Sequence, residues 1–121
     1  MLSSALRRTV PHVDDASIDV LIVEDHQMVA HALADALTAS DSFTVMGAVG
    51  TTAEALALVP AVLPQVVILD VRLADCDDST AVIPDILTLS PNSKVLVLSA
   101  WGDDWSVSRA VEAGCHGYLL K

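Results

Sequence analysis

Residues 19–25 read Asp-Val-Leu-Ile-Val-Glu-Asp, an apolar run that ends in two carboxylates. The run contains β-branched side chains and does not alternate with polar residues, which favours a strand buried on both faces of a parallel sheet. Comparable apolar runs follow at 43–49, 66–69, 95–98 and 118–120. These runs predict five strands.

Helical patterns separate the apolar runs. Val29, Leu33 and Leu37 recur every four residues and predict an amphipathic first helix whose apolar stripe faces the sheet. Thr51 and Glu54 have the spacing of a capping box, in which their side chains satisfy free amides at the start of a second helix.

Two further helices are predicted later in the chain. Segment 79–89 has helical periodicity, and Pro84 should kink this helix because proline removes a backbone donor. Asp103 or Asp104 can cap a fourth helix, which Gly114 would end in a left-handed conformation. Strands and helices therefore alternate along the chain.

This alternation predicts an α/β fold. Short βα links give a right-handed, doubly wound sheet of five parallel strands with helices on both faces. Ligands of such sheets bind beyond the carboxyl ends of the strands. A functional site is therefore expected at that edge.

Composition and charge indicate a globular domain and argue against membrane and nucleic-acid binding by these residues. The 121 residues, 53% of them apolar, suit one globular domain. No apolar run is long enough to cross a bilayer, and Arg7 and Arg8 are not followed by the apolar region of a signal peptide. We therefore expect a soluble, cytoplasmic protein with no membrane contact. The net charge of −10 repels phosphate backbones, so these residues alone should not bind nucleic acid.

Polar side chains follow four of the five predicted strands. Glu24 and Asp25 follow the first, Asp70 the third, Ser99 the fourth and Lys121 the fifth. The three carboxylates would repel one another, whereas one Mg²⁺ and the lysine would neutralise them. The charge balance therefore indicates a cation site.

Magnesium prefers oxygen ligands. Asp25 and Asp70 can bind it directly, the Arg72 carbonyl can be a third ligand, and Glu24 can act through water. Carboxylates already meet this preference, so His12, His26, His31 and His116 are expected at the surface and not as ligands.

Asp70 is also a candidate nucleophile. An aspartate can form an acyl phosphate, and phosphoryl transfer requires mainly positioning and neutralisation of the three peripheral oxygens. Mg²⁺, the Lys121 ammonium and the Ser99 hydroxyl would each contact one of those oxygens. Ala100 is small and leaves room for the incoming group.

Four motifs together resemble the receiver family of two-component signalling. They read Val-Leu-Ile-Val-Glu-Asp-His at 20–26, Val-Val-Ile-Leu-Asp-Val-Arg-Leu at 66–73, Val-Leu-Val-Leu-Ser-Ala at 95–100 and Gly-Tyr-Leu-Leu-Lys at 117–121. The resemblance covers about residues 19–121 in order and spacing. It implies a flavodoxin-like α/β fold, in which the five parallel strands have the order 2-1-3-4-5.

The resemblance implies a role for each site residue. Asp70 would be the phosphoacceptor, Glu24 and Asp25 the acids of the Mg²⁺ site, and Lys121 the phosphate-contacting lysine. Ser99 would be the switch hydroxyl, with Tyr118 as the aromatic residue whose rotamer follows it. It further implies that a sensor histidine kinase is the phosphodonor.

The first helix and the segments 99–101 and 114–121 most resemble regulators with a LuxR-type helix-turn-helix output. The implied function is transcription regulation, with DNA bound only through a carboxyl-terminal domain outside this chain. A homodimer is a further candidate assembly.

The loop after Asp70 departs from the family pattern. Ala74 stands where the family has proline, and Asp78 where it has glycine. We therefore expect a more mobile loop, in which Asp75, Asp77 and Asp78 add negative charge near an incoming phosphodonor. Slower phosphorylation, or regulation without phosphorylation, follows as an alternative.

Two other functions are compatible with the same acids. An aspartate-nucleophile phosphohydrolase would use the same intermediate, but such enzymes carry a second aspartate two residues after the nucleophile, where this chain has Arg72. A pseudo-receiver that only binds partners requires Asp70 to be inert. We favour the switch, with no enzymatic activity beyond self-phosphorylation and self-dephosphorylation at Asp70.

The predicted boundaries are a flexible tail at 1–17 and a receiver domain at 18–121 that lacks its last helix. Lys121 ends both the fifth strand and the chain, so the first helix alone would cover one sheet face. Several hundred Å² of exposed apolar surface favours association at about 25 cal/mol per Å². We expect the natural protein to continue into a fifth helix, a linker and a DNA-binding domain, and a 121-residue fragment to self-associate or to cover this face with its own tail.

Overall fold

A computed structural model describes residues 17–100 and 102–121. Predictions for the tail before Ser17, for His12 and for Trp101 lie outside these residues. The elements in chain order are β1 (Ile18–Val23), α1 (Gln27–Thr38), β2 (Phe43–Val49), α2 (Thr52–Val62), β3 (Val66–Asp70), a 3₁₀ turn (Ser79–Val82), α3 (Ile83–Leu89), β4 (Lys94–Ser99), α4 (Asp104–Ala113) and β5 (Gly117–Leu120). No helix in the described ranges is long and apolar enough to cross a membrane.

The five strands form one parallel sheet in the order β2-β1-β3-β4-β5, as the sequence predicts. The central strands β1 and β3 are almost entirely buried. At the edge, β2 alternates between half-buried and exposed residues. An edge strand has a neighbour on one side only, so its apolar run is not a sign of full burial.

The two sheet faces carry cores of different size. The larger core packs α2, α3 and α4 against one face through side chains that include Leu21, Leu69 and Ile86. On the other face, Val20, Ile22, Ala30 and Ile68 form a smaller core under α1. Within the described residues, α1 is therefore the one helix on that face, as predicted.

The apolar stripe of α1 is displaced from the predicted one. Ala30 is the buried residue of this helix, and Leu33 and Leu37 are half-buried beside it. Val29, predicted to face the sheet, is 36% exposed. The period was predicted correctly, but the small Ala30 lets the backbone approach the sheet, and Val29 turns outward.

The helix ends follow local signals. Thr51 Oγ1 accepts a hydrogen bond from the Glu54 amide at 3.0 Å, while Glu54 Oε1 accepts one from the Gly50 amide at 3.2 Å. The Asp103 carboxylate caps α4, and Gly114 ends it with a φ of 109°. Such a left-handed φ strains any residue with a Cβ atom, which explains the glycine.

The predicted kink at Pro84 is wrong. Segment 79–89 divides into the 3₁₀ turn and α3, and Pro84 is the second residue of α3. In the first turn of a helix a backbone amide has no intrahelical acceptor, so proline costs no hydrogen bond there. The proline therefore lies where a new helix begins.

Candidate functional site

A cavity of about 370 Å³ lies at the carboxyl edge of the sheet. Most of the predicted site residues line it. The full lining is Asp25, His26, Asp70, Val71, Arg72, Leu73, Asp77, Ser99, Ala100 and Lys121. Parallel strands deliver these residues to one edge because all their carboxyl ends point the same way.

Lys121 joins two buried carboxylates. Its Nζ atom lies 3.0 Å from Asp70 Oδ1 and 3.1 Å from Glu24 Oε1. Asp70 is 4% exposed and Glu24 is 3% exposed, so both acids are largely removed from water. Glu24 Oε2 also accepts a hydrogen bond from the His26 amide at 3.1 Å. The ammonium compensates charge that burial makes costly.

Burial raises the pKa of Asp70 to about 6, and the hydrogen bond with Glu24 adds to this, while Lys121 acts in the opposite direction. Burial also raises the pKa of Glu24, but the hydrogen bonds with Asp70, the His26 amide and Lys121 outweigh it and keep that pKa below its ordinary value. Burial lowers the pKa of the Lys121 ammonium, but Asp70 and Glu24 raise it above its ordinary value. In the absence of a metal, Asp70 therefore takes up a proton more readily than Glu24.

The donor set suits Mg²⁺. Glu24 Oε1 is a buried carboxylate oxygen whose charge the Lys121 ammonium compensates at 3.1 Å. Glu24, Asp25 and His26 can each place a ligand atom within 4.8 Å of the others. Asp70 and Arg72 line the same cavity, so the carboxylate and carbonyl oxygens that could bind a metal outnumber the imidazole nitrogen of His26. A ligand set rich in oxygen matches a hard cation.

Ser99 and Tyr118 occupy different parts of the site. Ser99 is buried and lines the cavity of Asp70. Tyr118 is half-buried and lines a neighbouring cavity of about 460 Å³, which Ser99 and Arg72 also line. Ser99 thus lines both the cavity of Asp70 and the cavity of Tyr118.

The loop after Asp70 is closed by backbone hydrogen bonds. The Leu73 amide donates to the Cys76 carbonyl at 2.8 Å, and the Cys76 amide donates back at 3.2 Å. The Ser79 hydroxyl donates to the Asp70 carbonyl at 2.5 Å, and its amide donates to the Val71 carbonyl at 2.8 Å. Although Ala74 replaces proline, the loop has specific anchors at both ends.

The three acids of this loop, which are expected to add negative charge near an incoming phosphodonor, make different contacts. Asp77 lines the cavity of Asp70. The Asp75 carboxylate contacts the start of α2, where it accepts from the Thr52 amide at 2.9 Å. Asp78 caps the 3₁₀ turn at the Thr80 amide and pairs with Arg109 at 2.6 Å. Two of the three charges are thus bound elsewhere.

Sequence reasoning missed these anchors. The Asp78 cap has a local signal, since an aspartate two residues before Thr80 is typical of a capping turn. The Asp75 contact has none, because Thr52 lies 23 residues away. His116 is exposed, as expected, and its Nδ1 atom also accepts a hydrogen bond from the Val95 amide at 3.0 Å.

Comparison with known proteins gives a consistent result. Residues 20–121 match the family model described as response regulator receiver domain. The DNA-binding transcriptional activator DevR/DosR of Mycobacterium tuberculosis is 38% identical over 104 residues, which are 86% of this chain and 48% of the relative. The chain thus spans about half the length of that curated relative.

Solved structures of response regulators have a similar fold. The receiver domain of NarL from Mycobacterium tuberculosis superposes with a TM-score of 0.80 at 31% identity, covering 86% of this chain and 83% of that one. A response regulator from Burkholderia pseudomallei, solved with a phosphorylated aspartic acid, a calcium ion and citrate, gives 0.78 at 26% identity, covering 87% and 60% of the two chains.

Proposed function

The chain belongs to the response regulator receiver domain family, and on that premise we propose that it is a phosphorylation-dependent switch with Asp70 as the phosphoacceptor. The observation that carries this proposal is the buried Asp70 carboxylate at the end of β3, 3.0 Å from the Lys121 ammonium. Membership of this family does not favour the phosphohydrolase or the pseudo-receiver.

The proposed step is a phosphoryl transfer. An Asp70 oxygen attacks phosphorus, a new P–O bond forms, and the bond from phosphorus to the donor breaks, with its electron pair leaving on the donor. The donor is a phosphorylated histidine of a sensor kinase or a small acyl phosphate. Mg²⁺ bound by Asp25, Asp70 and the Arg72 carbonyl, with Glu24 acting through water, would neutralise charge on the phosphoryl oxygens.

Residues of the chain itself complete the site. In this proposal, Lys121 exchanges its contact with Asp70 for one with a phosphoryl oxygen, and Ser99 donates its hydroxyl to another. The 3.0 Å contact of Lys121 with Asp70 and the presence of Ser99 in the same cavity support these roles. Because Ser99 lines both cavities, its movement would change the space next to Tyr118. This is the proposed path from phosphorylation to the outer surface.

We assign the output to a domain outside these residues. The relative DevR/DosR is named a DNA-binding transcriptional activator, and the chain covers 48% of it. We propose that the whole protein regulates transcription in the cytoplasm through a LuxR-type DNA-binding domain, with a homodimer as a candidate active form. In this proposal, residues 18–121 are the receiver, residues 1–17 are a tail, and a helix after Lys121 covers the face that α1 leaves open.

Intact-mass measurement after incubation with acetyl phosphate and Mg²⁺ tests the proposal. We expect one phosphoryl group on the wild type and none on Asp70→Asn, because an amide is not a usable nucleophile there. Asp77→Asn is the matched control, since it removes an acid that lines the same cavity and should keep the mass gain. An unchanged gain in Asp70→Asn would place the acceptor elsewhere, and no gain in the wild type would refute the switch.

A further inference from the structure

The loop that follows the acceptor is tied to a helix distant in sequence. Asp75 Oδ1 accepts from the Thr52 amide at 2.9 Å, and Asp75 Oδ2 accepts from the Thr52 hydroxyl at 2.8 Å and from the Ala53 amide at 3.3 Å. These hydrogen bonds hold the pKa of Asp75 below its ordinary value, the Thr52 amide being the largest cause. We call these contacts of the Asp75 carboxylate with Thr52 and Ala53 the tether. It lies at the amino-terminal end of α2, where the backbone amides have no intrahelical acceptor and negative charge is favoured.

The tether lies next to the proposed metal ligand. Asp75 is the third residue of the turn that the Leu73 and Cys76 hydrogen bonds close. Arg72, whose carbonyl is the proposed third ligand of Mg²⁺, immediately precedes this turn. On its other side the chain is anchored by Ser79 at the carbonyls of Asp70 and Val71. Arg72 is thus held between two anchors, and Asp75 supplies the outer one.

We propose that Asp75 is a positioning residue for the Mg²⁺ site, which fixes the turn at 73–76 on α2 and so holds the Arg72 carbonyl toward Asp25 and Asp70. This inference rests on the proposed function. Metal binding loses less conformational entropy when the ligand is already held in place by its neighbours than when the ligand lies on a mobile loop. The tether replaces the rigidity that a proline at position 74 would give, since Ala74 does not restrict the backbone.

The test is the dissociation constant of Mg²⁺, measured by calorimetry on the unphosphorylated protein. Asp75→Ala should weaken binding about tenfold, and amide hydrogen exchange should become faster at Thr52 and Ala53 and across residues 72–76. Saturating Mg²⁺ should restore the wild-type rate of phosphorylation by acetyl phosphate. A loss of fold stability alone would lower the melting temperature but leave the Mg²⁺ dependence unchanged.

Two variants separate the tether from its charge. Asp75→Asn removes the charge but keeps an oxygen that can accept from the Thr52 amide, so it should bind Mg²⁺ more tightly than Asp75→Ala. Thr52→Val keeps the charge and removes the 2.8 Å hydroxyl contact, so it should weaken binding. Asp41→Ala, an exposed acid before β2 at the opposite edge of the sheet, should leave binding unchanged.

The results also separate this inference from the proposed function. If the wild type binds Mg²⁺ and is phosphorylated while Asp75→Ala has the same dissociation constant, the positioning role is refuted and the switch stands. If Asp75→Asn and Asp75→Ala lose equal affinity while Thr52→Val loses none, charge alone acts and the tether is refuted. If the wild type itself binds no Mg²⁺, the proposed metal site fails. Should Asp75→Ala not fold, Asp75→Asn and Thr52→Val decide.

Discussion

The Lys121 ammonium lies 3.0 Å from Asp70 Oδ1 and is the positive charge closest to the proposed acceptor among the described ion pairs. The same nitrogen contacts Glu24, so one cation serves two buried acids. Two carboxylates with one lysine leave an excess negative charge in a site with little water. The predictions below follow from this imbalance and from the contacts around it.

Asp70→Asn should stabilise the metal-free protein at neutral pH. The pKa of Asp70 is raised from 3.8 to about 6, so the folded state binds the proton more tightly than the unfolded state does. Ionisation of Asp70 therefore costs stability, fully above about pH 6 and progressively less as the pH falls toward about 4. Removing this charge should raise the free energy of unfolding by roughly 1–2 kcal/mol near pH 8.

Thermal or urea unfolding in EDTA checks this prediction at several pH values. The advantage of Asp70→Asn over the wild type should shrink as the pH is lowered through about 6 toward about 4. A variant that is less stable than the wild type at every pH would show that the contact of Asp70 with Lys121 outweighs the cost of burying the charge beside Glu24.

Asp25→Ala should weaken Mg²⁺ binding by about tenfold or more, because it removes a direct carboxylate ligand. Asp25 is exposed, so the substitution should change the free energy of unfolding by less than about 0.5 kcal/mol. Calorimetric titration with Mg²⁺ measures the first effect and urea unfolding the second. Asp35→Ala, which removes an exposed acid from α1, is the control; equal affinity in Asp25→Ala and wild type would remove Asp25 from the metal site.

Lys121→Ala should bind Mg²⁺ at least as tightly as the wild type, since a competing cation is gone. Its free energy of unfolding in EDTA should be lower than that of the wild type, because Asp70 and Glu24 lose the charge that compensates their burial. The structural response to phosphorylation should fall, because the lysine is needed once the phosphoryl group arrives. Binding and unfolding assays, with amide exchange before and after acetyl phosphate, measure the three effects. A wild-type response would refute the role given to Lys121.

Asp78 should matter more for stability than its partner Arg109. The Arg109 side chain is 44% exposed and that of Asp78 is 33% exposed, so the ion pair itself contributes about 0–1 kcal/mol. Asp78 also caps the 3₁₀ turn at the Thr80 amide, and loss of a cap costs roughly 1 kcal/mol. The free energy of unfolding, measured in urea, should therefore be lowest for Asp78→Ala, higher for Asp78→Asn and highest for Arg109→Ala. The reverse order would mean that Arg109 stabilises the protein through another contact, such as the Trp105 ring 4.8 Å from its guanidinium.

Leu119 should make the 121-residue chain bind an apolar dye. It pairs with Leu98 across β4 and β5, on the face that α1 covers, and it is 52% exposed. Leu119→Ser should lower both dye fluorescence and any self-association seen by light scattering. Met28→Ser, which removes an exposed methionine from α1, is the control. A compact monomer with little dye binding in the wild type would refute the prediction.

Local patterns were sufficient for the architecture and for the residues that end the strands. The run at 19–25 and its later counterparts predict parallel strands because burial on both faces leaves no room for alternation. Thr51, Asp103 and Gly114 mark helix ends through contacts within a few residues of themselves. Glu24 and Lys121 directly follow their strands and Asp70 is the last residue of its own, so a parallel sheet brings them to one edge.

Contacts between distant segments could not be read from such patterns. Asp75 and Thr52 meet because α2 packs beside the loop after β3, and Asp78 and Arg109 because α4 packs on its other side. The outward turn of Val29 likewise depends on how closely α1 approaches the sheet. Periodicity and caps act over one or two turns of chain, whereas the partner of a loop carboxylate depends on which elements the packed core places beside it.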